Sequence, residues 1–211
     1  MVITALHGFL GAPRDWNFLR DAGFAIETPP LDAIPPCGDA LLGYSLGGRL
    51  ALHSLLAGAH YDRAIFISTG LGIEDESARA TRRASDEAWA HRFESDDWDA
   101  VTSAWNAQPV LAGPVLPRTR DDYNPRALRE WSSAVLPPVA SRLNELTLPT
   151  LWIAGARDTK YVAEAHRAAS LAPNARVAIV ENAGHRVPWE QRAALIALLR
   201  GRWDDLAKLS F

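Results

Sequence analysis

The segment Gly43-Tyr44-Ser45-Leu46-Gly47 constrains this chain more than any other. A short apolar run, Ala40-Leu41-Leu42, precedes it, and Gly48-Arg49-Leu50-Ala51-Leu52-His53-Ser54-Leu55-Leu56 follows as a helical segment. A strand that passes into a helix through G-x-S-x-G must turn sharply. The serine then takes a strained backbone conformation, and the flanking glycines keep side chains out of the way. Its hydroxyl stands exposed at the carboxyl end of a sheet, close to a helix N-terminus. Taken alone, the same residues also fit a glycine-rich turn that binds nothing. Two further segments shift the balance.

Upstream, Val2-Ile3-Thr4-Ala5-Leu6 reads as a buried strand, followed by His7-Gly8-Phe9-Leu10-Gly11. A loop of this kind supplies one half of an oxyanion hole. The backbone N–H of Phe9 is expected to join that of Leu46, the residue after the serine. His7 is read as a structural histidine that holds the loop.

Downstream, the strand Leu151-Trp152-Ile153-Ala154-Gly155 leads into Ala156-Arg157-Asp158, and the strand Val177-Ala178-Ile179-Val180 leads into Glu181-Asn182-Ala183-Gly184-His185. Ser45, Asp158 and His185 thus follow strands in the order serine, acid, histidine. Serine is a poor nucleophile or base at its free pKa. His185 would accept its proton, and Asp158 would fix the imidazole tautomer.

A chain of 211 residues, 48% apolar and 22% charged, suits one soluble globular domain with a substantial core. Its net charge of −3 offers no basic footprint for nucleic acid. No apolar run is long enough to cross a bilayer, and because Met1 leads straight into a strand no signal peptide is expected. The one cysteine, Cys37, lies in a proline-rich stretch read as a loop and fits a reducing, cytoplasmic setting. HExxH, a P-loop, GxGxxG and ligand-spaced Cys/His clusters are all missing, so neither metal nor cofactor is expected. No motif speaks to oligomeric state.

Strands are expected near 2–6, 24–28, 40–44, 63–68, 150–154 and 176–180, and helices near 14–22, 46–58, 160–171 and 189–202. This alternation argues for an α/β architecture, a mostly parallel sheet flanked by helices. Between Leu71 and Leu143 it stops. That stretch holds helical segments, Ala78 to Ser95, Trp98 to Asn106 and Pro125 to Val135, and four tryptophans, Trp89, Trp98, Trp105 and Trp131. Aromatics in that number anchor a segment to the core or line a pocket. Residues 1–70 and 144–211 are therefore read as the core, and 71–143 as a helical cap insertion.

Together these residues resemble the α/β-hydrolase fold, and within it the MenH family of menaquinone biosynthesis, the 2-succinyl-6-hydroxy-2,4-cyclohexadiene-1-carboxylate synthases. The resemblance rests on Leu6-His7-Gly8-Phe9-Leu10-Gly11 with Asp15-Trp16, and on the elbow through His53. In the cap it rests on Arg82-Arg83 with Asp86, Trp89-Ala90, Arg92-Phe93 and Trp105-Asn106-Ala107-Gln108-Pro109-Val110. Near the C-terminus it rests on Asn182-Ala183-Gly184-His185 with Glu190-Gln191.

The resemblance implies a lyase that removes pyruvate from a succinylated cyclohexene carboxylate bearing an enolpyruvyl group. The serine, activated by its histidine, acts as a base, and no acyl-enzyme forms. It further implies substrate contacts at Tyr44, Arg49, Arg83 and Trp105, and a third cap arginine among Arg120, Arg126 and Arg129. Such a small-molecule polycarboxylate needs fixed cations, and arginine offers carboxylate a bidentate fork. Arg49, one helical turn past Ser45, can face the same mouth.

The chain also departs from the family pattern. It begins at the HG strand, without the usual preceding antiparallel strands. Pro29, Pro30, Pro35 and Pro36 forbid a crossover helix between the second and third strands. Two other functions remain open from sequence: a small carboxylesterase or C–C bond hydrolase on the same triad, and a non-catalytic binding protein of this fold.

Overall fold

The computed structural model describes residues 1–201. Its strands are β1 (Val2–Leu6), β2 (Ala25–Glu27), β3 (Cys37–Tyr44), β4 (His60–Ile67), β5 (Thr150–Gly155) and β6 (Ala175–Val180). They form one sheet in the order β2-β1-β3-β4-β5-β6, and every pairing is parallel. The helices are α1 (Asn17–Asp21), α2 (Leu46–Leu56), α3 (Glu76–Ser95), α4 (Trp98–Asn106), α5 (Arg126–Arg129), α6 (Thr159–Leu171), α7 (Val187–Glu190) and α8 (Arg192–Arg200). None of these is long and apolar enough to cross a membrane.

Alternation along the strands builds a core on each face. Leu41, Phe66, Trp152 and Ala154 point to the face covered by α2 and α6, where they meet Leu52, Leu55, Ala165 and Ala168. Leu42, Ile65, Ile67, Leu151 and Ile153 point the other way, against Trp16, Leu19, Leu195 and Leu198. A third cluster, Leu10, Ala90, Phe93, Val101 and Leu128 with Phe9, Trp89, Trp98 and Trp105, fastens α3 and α4 onto the loop after β1. Trp131 instead packs into the α2-side core.

Several boundaries differ from expectation for physical reasons. The third and fourth strands begin earlier, at Cys37 and His60, because ladder pairing tolerates exposed polar residues at strand ends. Cys37 is therefore a strand residue, paired with His60, and not part of a loop. The segment 14–22 is a 3-10 turn, Pro13–Trp16, followed by the short α1. Residues 125–135 hold only the single-turn α5. The Ser132 hydroxyl captures the Ala134 N–H at 3.1 Å, which competes with helix continuation. The helix expected over 189–202 is broken at Gln191, where φ is −138° and ψ is 59°. Its residue 202, and residues 202–211 of the expected core, lie outside the described residues. The crossover 28–36 contains no helix, and Leu31 and Ile34 cover the sheet there.

Parallel register aligns the strand ends: Leu6 with Gly43, Tyr44 with Ile67, and Gly155 with Val180. The loops that follow β1, β3, β5 and β6 therefore emerge along one edge, where ligands of open α/β sheets bind.

Candidate active site

Ser45 sits between β3 and α2 with φ 52° and ψ −110°, outside the ordinary regions for a residue with a side chain. The turn is held by Ser45 N–H donating to Ile67 O at 2.9 Å and by Arg49 N–H donating to Ser45 O at 3.2 Å. It closes only because two neighbours lack a side chain. A Cβ on Gly43 would stand 2.5 Å from Gly48 Cα, and one on Gly47 would stand 2.5 Å from the carbonyl oxygens of Leu6 and His7.

His185 bridges Ser45 and Asp158. Its Nε2 lies 3.1 Å from Ser45 Oγ, and its Nδ1 lies 2.8 Å from Asp158 Oδ2. A carboxylate can only accept, so Nδ1 carries the proton and Nε2 is left to accept from the serine hydroxyl. Asp158 also caps α6, taking the Tyr161 N–H. Asp158 and His185 are buried, while Ser45 keeps partial exposure.

The imidazole is held from several sides. Ser68 Oγ donates to His185 O at 2.9 Å, and the Tyr161 ring lies 4.5 Å from the imidazole, centroid to centroid. Glu190, with a side chain only 4% exposed, accepts from Gly184 N–H at 2.9 Å and from Arg186 N–H at 3.1 Å. It also accepts from the Arg157 guanidinium at 2.6 Å. One carboxylate thus ties the residues on both sides of His185 to the residue before Asp158. Replacing Glu190 by alanine should lower thermal stability, at about 1–3 kcal/mol for each buried N–H left without an acceptor. It should also lower kcat more than KM. Glutamine should restore part of the loss, since its amide oxygen still accepts. Thermal melts with steady-state kinetics test this, and an alanine variant with unchanged melting point and kcat would refute it.

The loop after β1 places Phe9 over the same site. His7 Nδ1–H donates to Gly8 O at 2.9 Å, and burial lowers the imidazole pKa. Gly11 N–H donates to Gly8 O at 3.0 Å, which closes the loop. The Phe9 ring packs on Trp105 at 4.7 Å and on Phe93 at 5.3 Å. Among the described residues, no protein acceptor takes the N–H of Phe9 or of Leu46.

A cavity opens beside Ser45 and His185, walled by Phe9, Leu46, Arg49, Arg82, Trp89 and Trp105 among others. Arg49 Nη2–H donates to Trp131 O at 3.0 Å, and its buried Nε has no partner. Among the described residues it has no carboxylate partner. Burial pulls its pKa down to about 10, so it stays charged at neutral pH. Trp105 is part of the cavity wall, and Arg83 is not. Arg83 is exposed and donates to Ala134 O at 3.2 Å. Arg82 lines the wall instead, paired with buried Asp86 at 2.7 Å.

The three candidates for a further cap arginine are all engaged elsewhere. Arg120 donates to Phe93 O and Asp96 O, Arg126 pairs with Asp32 and Glu130, and Arg129 pairs with Glu87 and Glu94. Tyr44 stands behind the site, its ring 5.7 Å from that of His185 and 5.0 Å from that of Trp189. Burial pushes its phenol far above the ordinary value. It lines a second, adjoining cavity with Arg118 and Arg186.

The sequence profile of the alpha/beta hydrolase family matches residues 3–198. The chain belongs to that family. Among relatives of this α/β hydrolase, the 2-succinyl-6-hydroxy-2,4-cyclohexadiene-1-carboxylate synthases of Salmonella enteritidis and Salmonella gallinarum are 30% identical to it. That similarity covers 98% of this chain and 92% of theirs. Among solved structures, MenH from S. aureus superposes with a TM-score of 0.84 at 24% identity, covering 94% of this chain and 91% of that one. Carboxylesterase CesB from Bacillus subtilis gives 0.63 at 18% identity, covering 94% and 81%.

Sequence reasoning about this α/β hydrolase missed Glu190, Ser68, Tyr161, Arg82 and Arg186 as site residues. Helical periodicity could have found Arg82. Residues 82, 86, 89 and 93 share one face of α3, so the arginine on the Trp89 side is 82 and not 83. Nothing in the spacing marks Ser68, which reaches His185 across 117 residues, whereas Glu190 folds back from the end of α7 onto the histidine loop beside it.

Proposed function

We propose that this chain acts as a MenH-like lyase in menaquinone biosynthesis, releasing pyruvate from an enolpyruvyl-bearing, succinylated cyclohexene carboxylate. The observation that carries the reading is near-full-length similarity, at 30% identity, to relatives named 2-succinyl-6-hydroxy-2,4-cyclohexadiene-1-carboxylate synthase. The uncompensated Arg49 beside Ser45 supports it, since a buried cation without a counter-ion favours an anionic ligand. Residues 71–143 serve as the cap that selects the substrate.

Ser45, His185 and Asp158 form the catalytic triad in this reading. Ser45 Oγ, its proton passed to His185 Nε2, takes a proton from the substrate ring. The electrons of that C–H bond form a ring double bond, the ring C–O bond to the enolpyruvyl group breaks, and pyruvate leaves as its enolate. The enolate takes up a proton to give pyruvate. Phe9 N–H and Leu46 N–H stabilise the oxyanion that develops. Asp158 steadies the imidazolium. Arg49 holds a substrate carboxylate, and Trp105 packs against the ring.

Carboxylesterase chemistry is the second reading, favoured by the serine–histidine–acid geometry and the structural similarity to CesB. One experiment separates the two. Enzyme is mixed with the enolpyruvyl substrate, pyruvate is followed with a coupled dehydrogenase, and the quenched protein is weighed by mass spectrometry. Pyruvate with unmodified protein is the expected result. An acyl adduct on Ser45, fast turnover of simple esters and no pyruvate would establish the esterase instead. Weak ester turnover alone is compatible with both, because an elbow serine attacks activated esters in either case.

A further inference from the structure

The proposed substrate carries several carboxylates, yet among the described residues the Ser45 cavity offers one guanidinium free of a carboxylate partner, the half-buried Arg49. A second such guanidinium lies close by. Arg186 directly follows His185 and is only 8% exposed. Its Nη1–H donates to Pro114 O at 2.6 Å and its Nη2–H to Asn106 Oδ1, both neutral acceptors. Among the described residues it forms no ion pair.

The neighbours that could cancel its charge are already occupied. Arg118 is matched bidentately by Asp15, at 2.7 and 2.9 Å. Glu190 is matched by Arg157. The local balance therefore leaves one positive charge in a site largely removed from water. Two of the donors on Arg186 are used, and a guanidinium has more to give.

Arg186 lines the second cavity, whose walls include Tyr44, Arg118 and Trp189. That cavity shares Phe9, Trp105 and Leu111 with the one beside Ser45. The Phe9 and Trp105 rings, packed at 4.7 Å and tilted by 57°, are thus a partition with an arginine on each side. In the proposed mechanism Phe9 also carries one of the backbone N–H groups that stabilise the developing oxyanion. A ligand bound across this partition would present one anionic end to Arg49 and the other to Arg186.

We propose that Arg186 forms a second anion subsite, which takes a carboxylate of the substrate on the far side of the Phe9–Trp105 partition from Arg49; this rests on the polycarboxylate reading of the site. The opposing view is that Arg186 is a strut pinning residues 106–114 to the histidine loop.

Calorimetric titration of the full chain with 4-(2-carboxyethyl)benzoate and with each of its two monoamides tests the subsite without relying on turnover. The wild type should bind the diacid at least about tenfold more tightly than either monoamide, as a charge-assisted bond implies. Arg186→Met should bring the diacid within roughly twofold of the monoamide that keeps its carboxylate at Arg49, and the diacid preference over that monoamide is the signal read in every arm. Asn106→Asp provides the independent arm. It places a carboxylate on Arg186, keeps that contact, and gives up only the Asn106 Nδ2–H bond to Thr102 O. It should abolish the preference for the diacid even if Arg186→Met does not fold.

Equal binding of all three ligands by the wild type would overturn the subsite. So would equal weakening of all three in Arg186→Met, or an unaltered preference in Asn106→Asp. The pyruvate assay stands apart. Pyruvate release without an Arg186-dependent diacid preference would leave the lyase and remove the subsite. The preference without pyruvate would leave the subsite and remove the lyase.

Discussion

Ser45→Ala is expected to lose turnover by about three orders of magnitude or more while the protein stays folded. The fold does not depend on the hydroxyl. The contacts that hold the elbow are made by the backbone, through Ile67 O and Arg49 N–H, and an alanine keeps both. Ser45 Oγ meets His185 Nε2 and no other group among the described residues. In the proposed mechanism its removal takes away the proton acceptor and leaves the frame. Pyruvate release, measured beside a thermal melt, is the check. A folded alanine variant with more than about a tenth of the wild-type rate would remove Ser45 from the mechanism.

Asp158→Asn should cost about ten-thousandfold in kcat, with little change in melting point. The side-chain oxygen of asparagine can still take the Tyr161 N–H, so the cap of α6 survives. The other contact reverses its meaning. The amide N–H₂ facing His185 donates where the carboxylate accepted, so the imidazole turns its lone pair to Nδ1 and presents N–H to the serine. A base that already holds its proton cannot take another. Steady-state kinetics on a variant of unaltered melting point tests this, and a loss of less than about tenfold would show that Asp158 does not set the tautomer.

Much of the frame was legible because short-range rules govern it. Leu41 and Leu42, or Ile65, Phe66 and Ile67, alternate between the two faces as strand geometry demands. Glycines at 43 and 47 mark the elbow because any other residue there would strike backbone atoms. The arginines were harder to place. A helix as polar as α3 has no apolar stripe to show which side faces inward, so Arg82 and Arg83 look alike until Trp89 and Phe93 are used to fix the phase. Arg120, Arg126 and Arg129 look equally fit to hold a ligand in the sequence, and only the fold supplies their partners. Those partners lie on other elements: Phe93 O and Asp96 O, Asp32, Glu87 and Glu94. Long-range neutralisation of this kind leaves no local trace, and the same holds for the pairing of Glu190 with Arg157.

Phe9 has two jobs that pull on the same residue. Its half-buried ring packs against Phe93, Trp105 and Tyr123 of residues 71–143, while the proposed mechanism gives its amide to the oxyanion. In the proposed mechanism substrate choice and rate are thus mechanically geared together. Reshaping α3 or α4 to admit a bulkier ligand will tilt the amide that meets the developing charge, so selection for a new specificity will lose speed before it gains scope. Variants that keep the Phe9–Trp105 contact and change only the Arg82 and Asp86 wall are the ones able to escape that coupling.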